Sequence, residues 1–333
     1  MNDNTSLNVS TPDRGLIAAY LLDGRGGARR LDWDGVAAWT PEQGLLWVHL
    51  QRDDANTAAW LERDDNVDPL IRAALLADES RPRVTPLGNG LLVFLRGVNL
   101  NPGANPEDMV SIRLWIEESR IISTRQRHLL SVTDLRAALD AGHGPRDAAD
   151  LTVELSLRLT DRIADVVDNI DDEVEHVQER VPVADPRRLR IEIGQVRQQI
   201  VILRRYLAPQ REALARLSQI PPFNADASLL ARLREAHDRV TRHVEDLDAA
   251  RERAMLAKEE LDGLANETLN KRMYALAVVT GVFLPLGFLT GLLGINVGGI
   301  PLADDAWGFV TVVVILAVIV FLEIVLFRVR RWF

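Results

Sequence analysis

Hydrophobic and polar positions divide the chain into three regions with different periods. From about residue 15 to 127, short apolar runs alternate with polar breaks, and apolar residues then recur every three or four positions up to about residue 272. Two long and almost uncharged runs follow, at Met273–Leu293 and Trp307–Phe327. These three patterns are typical of strands, of long helices and of membrane spans of about 20 residues. We therefore predict an α+β membrane protein with a mixed α/β domain, long helices and two C-terminal transmembrane helices.

The first region contains five candidate strands and two candidate helices. The helices are Thr57–Leu61 and Pro69–Asp78, and a turn is expected at Pro86–Gly90. The strands are Leu16–Leu22, Leu45–Leu50, Leu91–Val98, Ile112–Glu117 and Ile121–Thr124. This α/β domain is expected to end near Gly142–Pro145.

The first long helix has an apolar stripe and an acidic stripe. The acidic positions lie two residues before the apolar ones, about 200° around a helix, so the stripes occupy opposite faces. The apolar stripe is Ile163, Val167, Ile170, Val174, Val177 and Val181, and the acidic stripe is Asp161, Asp165, Asp168, Asp172, Glu175 and Glu179.

A basic helix follows the Pro182–Pro186 turn and should form an antiparallel hairpin with the acidic one. Its apolar stripe is Leu189, Ile193, Val196, Ile200, Leu203 and Leu207, and its basic residues are Arg187, Arg188, Arg190, Arg197, Arg204 and Arg205. The opposite charges have two interpretations: ordinary pairing on a solvated surface, or an acidic surface that gathers cations.

A third helix is predicted from about Ser228 straight into the first membrane span. Its packing seam is Leu233, Ala236, Val240, His243, Leu247, Ala250, Ala254, Ala257, Leu261 and Leu264. Positions seven apart on another face are Asp238, Glu245, Glu252, Glu259, Asn266, Met273, Thr280 and Gly287. In an assembly of several chains this face would line a cation conduit, negative before the membrane and neutral within it. The alternative is that the acids are solvent-exposed, because a straight helix drifts by about 20° per heptad.

The charges that flank the two spans predict the orientation. Lys271 and Arg272 precede the first span, and Arg328, Arg330 and Arg331 follow the second, whereas the connection carries only Asp304 and Asp305. The positive-inside rule then places both termini in the cytoplasm, with two spans that cross the membrane. The N-terminal residues lack the apolar core of a secretory signal.

Composition narrows the chemistry that the chain can perform. The net charge of −9 argues against a nucleic-acid partner and favours cations. Cysteine is absent, so a bound zinc ion would need oxygen ligands or histidine, and His176 and His243 are candidates beside acidic residues. The sequence contains no HExxH, nucleophile-elbow or Walker motif, so we expect neither an enzyme nor a bound cofactor.

The tripeptide Gly294-Ile295-Asn296 closes the first span, with Tyr206–Arg211 upstream and a basic tail after the second span. This arrangement resembles the CorA-type family of divalent metal ion transporters. Ile295 in the middle of the tripeptide, followed by Val297–Pro301, is similar to the zinc-transporting ZntB branch, whereas magnesium channels of the family carry Met there and an acidic loop after it.

The resemblance implies a homopentamer in the lipid bilayer, with a cytoplasmic funnel, a stalk of long helices and a central pore. It implies zinc as the transported ion, with uptake coupled to protons. Two helices of one chain do not enclose a pore, whereas a ring of first spans does. The expected pore-lining residues are Asn266, Asn270, Met273, Ala277, Thr280, Leu284, Gly287 and Gly291.

Asn296 is expected to supply a ring of amide oxygens at the outer mouth that holds a hydrated cation, and Gly294 permits the sharp turn there. The pore offers Zn²⁺ no histidine or carboxylate ligands inside the membrane, so zinc should pass largely hydrated. The alternatives are a Mg²⁺, Co²⁺ or Ni²⁺ channel of the same architecture and, in another class, a membrane-tethered ligand sensor.

The predicted organisation has eight parts. They are a disordered N-terminus (1–14), the α/β domain (15–145), the helical hairpin of the funnel (146–227), the stalk helix (228–272), the first span (273–293), the periplasmic loop (294–306), the second span (307–327) and the basic cytoplasmic tail (328–333).

Two residues within the spans have open interpretations. Glu323 is either a proton-carrying carboxylate or one half of an interfacial ion pair with Arg328. Pro285 is either a gating hinge or a static kink.

Overall fold

The computed structural model describes residues 15–78, 81–295 and 306–329. They form two compact units that divide between Lys258 and Glu259.

A mixed seven-stranded sheet forms the centre of the first unit. Its strands are β1 (Leu16–Leu22), β2 (Ala28–Leu31), β3 (Leu46–Gln51), β4 (Arg83–Leu87), β5 (Gly90–Gly97), β6 (Val110–Ile116) and β7 (Arg120–Arg125). They lie in the order β2-β1-β3-β7-β6-β5-β4. The β3–β7 pair is parallel, with Leu46 opposite Arg120, and the other neighbouring pairs are antiparallel.

Helices cover both faces of this sheet. Three short ones, α1 (Trp33–Ala37), α2 (Ala55–Arg63) and α3 (Pro69–Leu76), pack on one face with Val48 and Ile122. The other face, which includes Trp47 and Ile121, packs against α4 (Leu130–Asp140), α5 (Ala148–Arg180), α6 (Pro186–Leu217) and the first part of α7 (Ala227–Leu293). Because side chains alternate along a strand, neighbours such as Trp47 and Val48 enter different cores. The sheet and the long helices thus share a core across the predicted boundary at Gly142–Pro145.

Aspartate side chains cap the start of most helices in this unit. In each case a carboxylate oxygen accepts a hydrogen bond from a backbone N–H in the first turn, which satisfies a group that has no partner within the helix. The caps are Asp32 of α1, Asp54 of α2, Asp68 of α3, Asp147 of α5, Asp185 of α6 and Asp226 of α7.

The five predicted strands and two predicted helices of the first region are present, with bounds within two residues of those expected. Two strands and two α-helices were missed: β2, β4, α1 and α4. The predicted turn at Pro86–Gly90 is shorter than expected, because Pro86 and Leu87 belong to β4 and pair with Leu91 and Gly90.

The long helices follow the predicted patterns closely. The apolar stripes of α5 and α6 are buried, and α7 is a single helix of 67 residues that begins one position before the predicted Ser228. Two positions of its predicted packing seam were wrong. His243 is half-buried while Val244 is buried, because the seam steps by four from Val240 and then by three to Leu247. Leu264 is 38% exposed.

The second unit contains the end of α7 and helix α8 (Gly308–Val329). Both helices are long and apolar enough to cross a membrane. A Cβ atom added at Gly281 would lie 3.1 Å from Phe327 Cζ, so the two helices pack closely at this point. Large apolar side chains elsewhere on both helices are exposed, such as Phe283 at 68% and Phe321 at 65%. Exposed apolar surface of this extent requires lipid or other chains around it.

Candidate pore helix

The membrane part of α7 has one face that packs and one that does not. Residues of intermediate exposure recur every three or four positions, and Gly281, which contacts Phe327 of α8, is among them. The stripe is Val278, Gly281, Val282, Pro285, Leu286, Leu289 and Leu293. This face of α7 therefore lies against α8.

The predicted pore-lining residues lie on the other side of α7. At about 100° per residue, the face through Met273, Thr280 and Gly287 is roughly opposite the stripe that packs on α8. All eight predicted pore-lining residues, the first of which is Asn266 and the last Gly291, are exposed in the single chain. Their role in lining a pore stays a prediction, but the face is free to meet other chains.

The side chains on this face carry no charge. In a ring of chains it would offer a thioether at Met273, a hydroxyl at Thr280 and bare backbone at Gly287 and Gly291. Thr280 Oγ1 donates to the carbonyl of Leu276 at 2.9 Å, which leaves the hydroxyl oxygen able to face a conduit. None of these groups replaces a full hydration shell, so a cation on this path would keep most of its water.

The predicted selectivity tripeptide begins where α7 ends. The backbone N–H of Gly294 donates to the carbonyls of Thr290 and Gly291, at 3.0 and 3.2 Å, and Ile295 is 46% exposed. Asn296 lies outside the described residues, so its predicted position at the pore mouth stays a prediction.

Acidic residues precede the membrane part of α7 on an exposed face. Glu245, Glu252 and Glu259 are exposed and form no ion pair within the described part of the chain. Their charge is therefore available to attract cations, and their role stays a prediction.

The acidic stripe of α5 is exposed, and the arginines of α6 do not neutralise it. Asp161 pairs with Arg239 of α7 at 2.5 Å, and Glu179 lies 3.7 Å from His176. Asp165, Asp168, Asp172 and Glu175 have no ion pair among the residues described. An ion pair does join α5 to α6, but its basic residue is Arg180 of α5 and its acidic residue is Glu192 of α6, at 2.6 Å. The interpretation as simple pairing between these two helices is therefore not supported.

Neither candidate histidine lies in a metal-binding cluster. Over residues 15–78, 81–295 and 306–329, no three His, Asp or Glu side chains are placed to hold a metal ion. The His176 side chain is 76% exposed. Burial lowers the pKa of His243, although Asp246 and Asp168 act in the opposite direction. The structure thus gives no support to a zinc site at either histidine.

A cavity of about 640 Å³ beside His176 was missed in the sequence analysis. It is lined by residues of α5, of α6 and of the loop before β6, including Glu173 and Glu107. Burial, together with the charge of Glu107, raises the pKa of the Glu173 carboxyl. No local pattern in the sequence links Glu107 to Glu173, because they meet only through the fold.

The interpretation of Glu323 as half of an ion pair with Arg328 is wrong for the described residues. Its Oε2 atom is buried and has no hydrogen-bond partner. The two side chains are five positions apart on α8, which puts them on different faces of the helix.

Comparisons with known proteins identify the family. A family model described as "CorA-like Mg2+ transporter protein" matches residues 42–331. The divalent cation transporter CmaX of Pseudomonas aeruginosa is 40% identical over 331 residues, which are 97% of this chain and 98% of that protein. The zinc transport protein ZntB of Pectobacterium atrosepticum is 37% identical over 314 residues, which are 92% of each chain.

Solved structures agree with this assignment. The structure of full-length CmaX covers 97% of this chain and 100% of its own, with 38% identity and a TM-score of 0.83. The CorA magnesium transporter from Methanocaldococcus jannaschii, 17% identical, shares the fold over 94% of this chain and 98% of its own, with a TM-score of 0.78. Since the family model covers most of the sequence and relatives near 40% identity span almost all of it, the chain belongs to the CorA-like family of divalent-cation transporters.

Proposed function

We propose that the protein carries Zn²⁺ across the inner membrane through the centre of a homopentamer, in which α7 of each chain lines the pore. The observation that carries this proposal is the uncovered, uncharged face of α7 opposite α8. A ring of such faces encloses a water-filled path, whereas each α8 packs on the outside.

Ion movement follows from the placement of charge along α7. Glu245, Glu252 and Glu259 raise the local cation concentration at the cytoplasmic end, and Asn296 holds the hydrated ion at the outer mouth. Both termini are cytoplasmic, in keeping with Lys271, Arg272 and Arg328 at the inner ends of the spans. Zinc uptake is driven by coupling to protons.

Zinc is favoured by the resemblance of the Ile295 tripeptide to the ZntB branch and by relatives named as zinc transport proteins. Magnesium is the second candidate, because the matching family model describes a Mg²⁺ transporter. Neutral oxygen groups on the pore face suit a hydrated ion of either kind.

Ion flux into proteoliposomes tests the proposal. We expect zinc entry that excess magnesium inhibits little, and Asn296→Ala should lower it about tenfold, the change that corresponds to about 1.4 kcal/mol at the pore mouth. Asn66→Ala, at an exposed position of the first unit, is the matched control and should leave flux unchanged. Preferential entry of magnesium would assign the chain to magnesium transport. Absence of flux for both ions would favour the tethered sensor.

A further inference from the structure

The hairpin of α5 and α6 has two exposed faces that no described residue covers. On α5, the acidic stripe is exposed on the side opposite the buried apolar stripe. On α6, exposed residues recur at steps of four and three, again opposite the buried stripe. They are Arg187, Ile191, Gly194, Gln198, Val201 and Arg205.

The α6 face combines apolar side chains with arginines. Ile191 is 64% exposed and Val201 is 55% exposed, and a Cβ atom added at Gly194 between them would meet no other atom within 4 Å. Arg187 and Arg205 stand at the two ends, and neither forms an ion pair within the part of the chain that is described. Exposed apolar side chains in a regular stripe are typical of a helix face that packs on a partner.

The α5 face carries charge of the opposite sign. Its acids without an ion pair among the described side chains are Asp165, Asp168, Asp172 and Glu175. Carboxylates at helical spacing repel one another, so the face is stabilised by cationic groups nearby. Val183 lies just beyond the end of α5, four positions after Glu179, and is 83% exposed. The face therefore suits a partner that brings arginine and an apolar side chain.

Complementary groups lie at similar heights on the two faces. The helices run antiparallel, and Arg180 of α5 pairs with Glu192 of α6 at 2.6 Å. Counted from this pair, Arg205 lies within about one residue of the level of Asp168. By the same count Ile191 lies within about two residues, or about 3 Å, of the level of Val183.

Equal heights on two different surfaces suit a head-to-tail contact between copies of the chain. Rotation about a ring axis carries each group to the neighbouring protomer without changing its height. Groups that meet across the ring therefore share a height when the helices run along the axis. Within one chain the two faces belong to different helices, and no ion pair joins them in the described ranges. A second copy can satisfy both faces.

We propose that the exposed face of α6 in one protomer docks on the acidic face of α5 in the next, with Arg205 paired to Asp168 and Ile191 packed on Val183. The α6 face from Arg187 to Arg205 is a strip of about 27 by 10 Å, which is too small to hold a dimer by itself. The contact therefore adds to the ring of α7 helices, and it rests on the homopentamer of the proposed function. It leaves Glu245, Glu252 and Glu259 of α7 to attract cations.

The absence of cysteine allows this contact to be tested in the full chain. Val183→Cys is introduced into a chain with a large affinity tag and Ile191→Cys into an untagged chain. The two are produced together, purified through the tag in detergent and treated with a short bismaleimide. On a denaturing gel we expect a band of one tagged plus one untagged chain. Either variant produced alone should give little cross-linked dimer, because the contact joins two different surfaces.

The control replaces Val183→Cys by Leu70→Cys in the tagged chain. Leu70 is 71% exposed on α3, and its thiol should give no mixed band with Ile191→Cys. Untagged chain that copurifies without a mixed band from Val183→Cys would overturn the contact and leave the proposed pentamer intact. Untagged chain that does not copurify would contradict the pentamer and the contact together.

Charge reversal tests the ion pair. Asp168→Arg in the tagged chain should slow formation of the mixed band by up to about fivefold, as expected for one exposed ion pair. Arg205→Asp in the untagged chain should then restore the rate. Arg63→Asp, at an exposed position of α2, is the control and should restore nothing. An unchanged rate in Asp168→Arg, or equal rates with Arg205→Asp and Arg63→Asp, would contradict the pairing.

Discussion

At the scale of single residues, His49 is the clearest case of a group whose state depends on burial. It is fully buried in β3, with Nδ1 2.8 Å from Ser123 Oγ, and Nε2 has no hydrogen-bond partner among the described residues. Burial, helped by the charges of Arg125 and Arg136, holds the pKa of His49 well below its usual value. The histidine is therefore neutral in the folded protein.

This makes stability depend on pH in a defined direction. Below about pH 6.5 the unfolded chain binds a proton at this histidine that the folded chain does not bind. As the pH decreases through this range, the free energy of unfolding therefore falls by up to about 1.4 kcal/mol for each pH unit. Urea unfolding of the full chain in detergent, followed by tryptophan fluorescence over a pH series, measures this slope. His49→Gln should lower this slope by up to the contribution of one proton, whereas His176→Gln, at an exposed position, should leave it unchanged. An equal slope in His49→Gln would contradict the assignment.

At the scale of elements, α5 and α7 run side by side and are joined by ion pairs at matching positions. Arg232 binds Asp150 at 2.6 Å and also pairs with Glu154, and Arg253 pairs with Asp171 further along. Asp150 is 7% exposed, and Arg232 is its nearer arginine partner, since Arg146 lies 3.6 Å away. The ion pairs Arg180–Glu192 and Arg204–Asp248 at the surface of α6 are more exposed, so each should contribute less to the free energy of unfolding.

Arg232→Met should lower the free energy of unfolding by about 2–3 kcal/mol, because it leaves the buried Asp150 carboxylate with a weaker partner. Arg204→Met removes a pair with Asp248 in which both side chains are more than 40% exposed, and it should cost less than about 1 kcal/mol. Chemical denaturation of both variants makes the comparison. Equal losses would show that the α5–α7 contact does not depend on the Arg232 pair.

Patterns along the sequence predicted the central strands and the long helices but not the edges of the sheet. The edge strands are polar: β2 is Ala-Arg-Arg-Leu, and β4 contains Pro86. Edge strands need no continuous apolar run, and proline is tolerated there, so the pattern carried little signal. Helix α4 was missed although its sequence does carry a helical signal, since Val132, Leu135 and Leu139 are buried at helical spacing.

At the scale of the whole molecule, the sequence predicted the family and the faces of α7 but not the contacts that depend on the fold. The tripeptide at residues 294–296 pointed to the family that the comparisons confirm. The seven-residue spacing predicted a face that is uncovered in one chain, but a single chain does not specify how many copies close the ring. The contact between Gly281 and Phe327 depends on how α8 returns along α7, and no local pattern encodes that register.

The central claim is that one face of α7 lines the path of the ion, and the absence of cysteine allows a direct measurement. Thr280→Cys and Leu286→Cys each introduce a single thiol, the first on the proposed pore face and the second on the face against α8. Zinc flux into proteoliposomes is then measured before and after a water-soluble thiol reagent. We expect the reagent to block flux through Thr280→Cys and to leave Leu286→Cys unaffected. Flux through a fully modified Thr280→Cys protein at its original rate would contradict the claim.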